Sequence, residues 1–76
     1  MRFEEIKEIL LRQDEEFQRL ADEHKRYDDA LRDLSGRKYL TPHDQLREVE
    51  LKKKKLQLKD RMLEIAAEYR KHNLQQ

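Results

Sequence analysis

At 76 residues, 36% of them hydrophobic and 46% charged, the chain holds at most one small domain and lacks the balance of an ordinary globular core. A net charge of only +1 and strictly spaced apolar residues argue against disorder, while one glycine and one proline leave room for a single break in otherwise helical text. Without cysteine there is no disulfide framework and no thiolate to bind a metal or act as a nucleophile.

From Phe3 the residues Phe3, Ile6, Leu10, Gln13, Phe17, Leu20, His24, Tyr27, Leu31 and Leu34 follow the 3, 4 alternation of a coiled-coil seam. This predicts one helix over 3–34. Acid-first pairs at i,i+4, such as Glu8 with Arg12, Glu15 with Arg19 and Asp28 with Arg32, support it by a few tenths of a kcal/mol each. The opening Arg2-Phe3-Glu4-Glu5 is acidic without an apolar h-region, and no window approaches ~18 uninterrupted apolar residues. The expectation is therefore a cytoplasmic protein with no membrane span.

Ser35-Gly36 closes the first helix, with Gly36 expected in the left-handed conformation that ends helices. A turn over 35–41 follows. Thr41-Pro42-His43-Asp44 then restarts the chain: Thr41 suits the N-cap, Pro42 the first helical position, and Asp44 completes a capping box. The second helix is predicted over 42–72, and so short a connection forces the two helices antiparallel. The expected fold is a single all-α domain over 1–76, an antiparallel two-helix hairpin of coiled-coil type, open to pairing into a four-helix bundle.

The second helix contains the most distinctive text, LKKKKLQLKD at 51–60. At about 100° per residue four consecutive lysines fan over roughly 300°, so they do not form one patch. What aligns is a stripe of Lys52, Lys55 and Lys59, with Arg70 further along. Two apolar lines also run down this helix. One is Leu51, Leu58, Met62, Ile65 and Tyr69; the other is Leu46, Val49, Leu56, Leu63 and Ala67, on the nearly opposite side.

Either line can face the first helix. A turn centred near Lys38 makes facing residue numbers sum to 75–77, which sets Leu10 by Ile65, Phe17 by Leu58 and Ile6 by Tyr69 on the first line. The second line would instead meet Leu20 with Leu56 and Tyr27 with Val49. The same register brings Glu16 toward Lys59, Asp22 toward Lys53 or Lys54, and Glu23 toward Lys52. The halves are complementary, since residues 1–38 carry 9 basic and 11 acidic groups and residues 39–76 carry 9 and 6.

Two segments, FQRLADEHKRYDDAL at 17–31 and ELKKKKLQLKDRML at 50–63, make the chain resemble the YdcH-like family of small bacterial proteins of unknown function. The second carries the specificity, through Leu, paired lysines, Lys-Leu-x-Leu-Lys-Asp and a following Met. Arg61 departs from the acidic residue common after the Asp in that family, and Thr41-Pro42 is not a feature associated with it. The resemblance implies a helical hairpin and no assigned activity.

His24 and Asp28, one turn apart, have the spacing of a metal pair or of a base with its orienting acid. No further ligand or nucleophile accompanies them, so His24 is expected to be a seam residue, its ring against Leu51 and one nitrogen bonded to Asp28. Ser35 has no triad partners, and two helices form no concave pocket. No catalytic residue, cofactor, metal or small-molecule substrate is expected, and the chain reads as a non-enzyme. A partner-binding face is expected instead. The candidate is the line Leu51, Leu58, Met62, Ile65 and Tyr69, or the opposite line, covered by self-association as a dimer or by another helical protein. The alternative is weak, sequence-independent nucleic-acid binding through Lys52, Lys55, Lys59 and Arg70, which the low net charge disfavours.

Overall fold

Asp14 divides the N-terminal arm. A computed structural model describes residues 2–74, and in it the predicted helix over 3–34 is two helices, α1 over Phe3–Gln13 and α2 over Glu15–Ser35. The third, α3, spans Pro42–Leu74. Positions 1, 75 and 76 of the expected 1–76 domain lie outside the described residues. The expected two-helix count is thus corrected to three, with no strand among the described residues.

The cause of the break is local. Asp14 takes extended dihedrals (φ −113°, ψ 113°), and its side chain accepts a 2.8 Å hydrogen bond from the Phe17 N–H, making it the N-cap of α2. Glu15 and Glu16 add acidic charge at the positive end of the new helix. At the end of α1 the Leu10 carbonyl accepts from the Asp14 N–H at 2.8 Å and the Leu11 carbonyl from Gln18 Nε2 at 2.7 Å. A break so capped costs little, and it lets α1 pack against both α2 and α3.

The other end of α2 corrects a second expectation. Gly36 is right-handed (φ −80°, ψ −8°) rather than left-handed. The helix instead winds down through a tighter final turn, with Gly36 N–H donating to the Arg32 carbonyl and Arg37 N–H to the Leu34 carbonyl. At the start of α3 the capping box forms as expected: Asp44 N–H donates to Thr41 Oγ1 at 3.0 Å, and Thr41 N–H donates to Asp44 Oδ2 at 3.2 Å.

The result is a rod of 53 × 20 × 17 Å in which α3 runs the full length beside α2 and α1. Its core is Ile6, Leu10, Phe17, Leu20, Met62, Ile65 and Ala66, with Leu58 and Tyr69 packed against it and Phe17 wholly buried. Leu34 and Leu51 are buried nearer the turn. Of the two lines on α3, the first therefore faces the hairpin interior. In so small a core each side chain carries a sizeable share of stability.

Candidate docking surface

The choice of line decides where a partner can bind. Leu51, Met62 and Ile65 are 7–8% exposed, and Leu58 and Tyr69 are half-buried against the core. The docking face assigned to these five residues is thus corrected: they hold the hairpin together. The opposite line is left outside, with Leu46 59%, Val49 58%, Leu56 58% and Leu63 43% exposed, and Ala67 exposed beyond them. Nearly opposite lines cannot both face one arm, and the arm's large side chains, Phe17 above all, fill the space over the first. The pairings of Leu20 with Leu56 and Tyr27 with Val49 are excluded by the same exposures.

Residue-level geometry extends this surface at both margins. Near the N-terminus of α1, the 40%-exposed Phe3 borders a shallow dent with Leu63, Ala67 and Arg70. Beside the centre of the line, an open groove between α2 and α3 is lined by Leu31 and Leu56, the cations Arg32, Lys52, Lys55 and Lys59, and the acids Asp28 and Glu48. Three leucines and a valine, all about half-exposed on one side over about 26 Å of helix, are more than the scattered apolar residues of an ordinary surface.

The expected basic stripe lies along that groove, but not as a bare row. Lys55 Nζ donates to Asp28 Oδ1 at 2.5 Å, Arg32 meets the other Asp28 oxygen at 3.3 Å, and Lys52 pairs with Glu48 at 3.3 Å. Lys59 and Arg70 have no carboxylate within 4.0 Å among the described residues. The acids expected opposite the lysines are thus replaced. Lys52 is matched within α3 rather than by Glu23, and Glu16 is taken by Arg61 rather than Lys59. Lys59 and Arg61 sit about 200° apart around the helix, so the register allows both but the side chain facing α2 is Arg61.

His24 is half-buried, and the bond expected from it to Asp28 is not made, because Asp28 is held by Lys55 and Arg32. Burial, and then the Lys55 charge, push the His24 imidazole below its ordinary value, favouring the neutral ring. No group of three or more His, Asp or Glu residues suited to a metal occurs among the described residues. No described helix is long and apolar enough to cross a membrane.

From the sequence Glu16 and Arg61 are both named, but not as a pair. Glu16 and Arg61 form the bidentate link between α2 and α3, and their numbers sum to 77, inside the expected register. Phe3 was placed in the seam, yet it sits at the edge of the exposed line.

Fold and surface together define a small all-helical protein of three helices that keeps one apolar line of its long helix outside. The sequence profile of DUF465, described as a protein family of unknown function, matches residues 17–66, and the chain belongs to that family. The match covers α2, the turn and most of α3, while α1 lies outside it. Comparison with curated proteins and with solved structures gives no match.

Proposed function

We propose that this protein is an interaction module rather than a catalyst, docking a helix of another protein along the outward line of α3. The observation that carries this reading is the exposure of Leu46, Val49, Leu56 and Leu63 in one row while the opposite line is used up in the core. At ~25 cal/mol per Å², covering these side chains is worth several kcal/mol gross, before the costs of association. Their exposure of 43–59% sets them apart from the buried inner line, so docking and folding can be tested separately. The YdcH-like resemblance is in keeping with this reading and adds no activity to it. Phosphate binding through the lysines is the weaker reading, since the chain's net charge is only +1.

The test is site-specific photo-crosslinking in cells, with a photoreactive side chain placed at Val49, at Leu56 or, as a control, at the exposed Arg19 of α2. The expected result is discrete adducts from 49 and 56 and none from 19. Adduct mass separates a different protein from a second copy of 9.4 kDa. Equal labelling at all three positions, or none at any, would remove the basis for the reading.

A further inference from the structure

The flanks of the outward line carry information about what can cover it. The line follows a 3, 4 alternation in which Lys53 and Asp60 fill the positions between Val49, Leu56 and Leu63. On the side toward the groove it is flanked by Lys52 and Lys59, and on the other side by Glu50 and Glu64, all four exposed. A helix laid on this line meets those flanks as coiled-coil partners meet flanking charges.

A second copy fits this pattern badly in either direction. Antiparallel two-fold pairing sets each flank against itself, with Lys52 facing Lys59 across the axis and glutamates facing glutamates. Parallel pairing repairs the flanks but puts Lys53 beside its own copy, and Asp60 beside its own copy, inside the seam. Like charges brought together at an interface oppose binding and select against the wrong partner. The groove adds a further cation, because Arg32 of α2 stands across from Lys52 and Lys59 with its side chain 77% exposed. The two acids of the groove, Asp28 and Glu48, are already engaged by Lys55, Arg32 and Lys52.

Resting on the docking reading above, we infer that the partner is an amphipathic helix of a different protein whose apolar stripe is bordered by acidic residues, and that this acidic border lies along Lys52, Lys59 and Arg32. The leucines supply area, and the cations set the partner's identity and orientation.

The experiment is fluorescence anisotropy of the full chain with two designed helical peptides sharing one leucine stripe and one lysine border to meet Glu50 and Glu64, the first carrying glutamates on its other border (the glutamate peptide) and the second carrying lysines there too (the lysine peptide). The expected result is a preference of about tenfold or more for the glutamate peptide, shrinking with added salt. Lys52→Glu with Lys59→Glu should invert the preference, and Lys52→Ala with Lys59→Ala should level it. Leu56→Glu with Leu63→Glu should abolish binding of both peptides while helicity by circular dichroism is kept. Equal binding of the two peptides, or preference for the lysine peptide, overturns the inference and leaves the docking reading standing. Binding of neither up to about 1 mM also overturns it, and the crosslinks from Leu56 then decide the docking reading separately. A dimer in sedimentation that Leu56→Glu with Leu63→Glu dissolves would assign the line to a second copy instead. Duplex DNA or anionic vesicles bound more tightly than the glutamate peptide, and lost on Lys52→Glu with Lys59→Glu, would assign the cations to phosphate.

Discussion

The guanidinium of Arg61 holds the carboxylate of Glu16 through two parallel hydrogen bonds of 3.1 Å, Nε to Oε2 and Nη2 to Oε1. These residues stand 45 positions apart in the chain, so the fork fixes the register of α2 against α3 in a way a single lysine cannot. A third bond, from Nη1 to Glu64 at 3.1 Å, holds the guanidinium in place, and together these acids hold it firmly in the charged form. Both side chains are about two-fifths exposed, which leaves the pair open to salt.

Arg61→Lys keeps the charge and loses the fork, so it is expected to lower the urea midpoint much as Arg61→Ala does. A double-mutant cycle with Glu16→Gln should show coupling that fades as salt is added. Simple additivity at low salt would mean that the fork contributes nothing to the register.

Much of this architecture is legible in the residues. The capping box of Thr41 and Asp44 and the turn follow from local chemistry that tertiary packing has no reason to override, whereas the register is met by Glu16 with Arg61 and exceeded by Asp28 with Lys55, whose numbers sum to 83. The break at Asp14 was hidden because the seam spacing continues across it, from Leu10 through Gln13 to Phe17, and periodicity alone is blind to a capped interruption. Its signal was the run Asp14-Glu15-Glu16, an N-cap followed by first-turn acids. The choice between the two lines of α3 was not legible, since both have helical spacing and both meet apolar residues at plausible registers. Only the volume of Phe17, Leu20, Ile6 and Leu10 packed in three dimensions decides it. The proposed docking surface inherits that ambiguity.

The ends of the helices give two opposite mutational effects. Thr41→Ala removes the N-cap of α3 and should cost about 1 kcal/mol. Gly36→Ala should stabilise by about 0.5–1 kcal/mol, because φ is negative there and an added Cβ meets only the Arg32 and Asp33 carbonyl oxygens at 3.5 and 3.6 Å. Urea unfolding measures both. A loss of stability in Gly36→Ala would mean that Gly36 is needed in the left-handed region after all.

Stability should fall toward acid in two stages. The Lys55 hydrogen bond and charge hold the Asp28 carboxyl below its ordinary 3.8, and the Thr41 backbone N–H, ahead of the Thr41 hydroxyl and Arg37, does the same for Asp44. His24 is also depressed, from 6.5, by burial and then by Lys55. A depressed folded value gives stability that is complete above the unfolded value and is lost as pH falls through the folded one. The urea midpoint should therefore be flat above pH 6.5, decline slightly below it as His24 is forced to charge, and drop more steeply below 3.8. His24→Gln should erase the first stage and leave the second. A first stage unchanged in that variant would place the titrating group elsewhere.

That α3 folds with one apolar line and reserves the other is tested most directly by comparing Ile65→Ala with Leu63→Ala in urea unfolding at low protein concentration. The two positions are neighbours on one helix and lose similar volume, but Ile65 is 7% exposed and Leu63 is 43% exposed. The expected result is a loss of about 2–5 kcal/mol for Ile65→Ala, enough to unfold much of the chain, and under about 1 kcal/mol for Leu63→Ala. Equal losses, or a larger loss at Leu63, would contradict the assignment of the inner and outer lines and with it the docking surface.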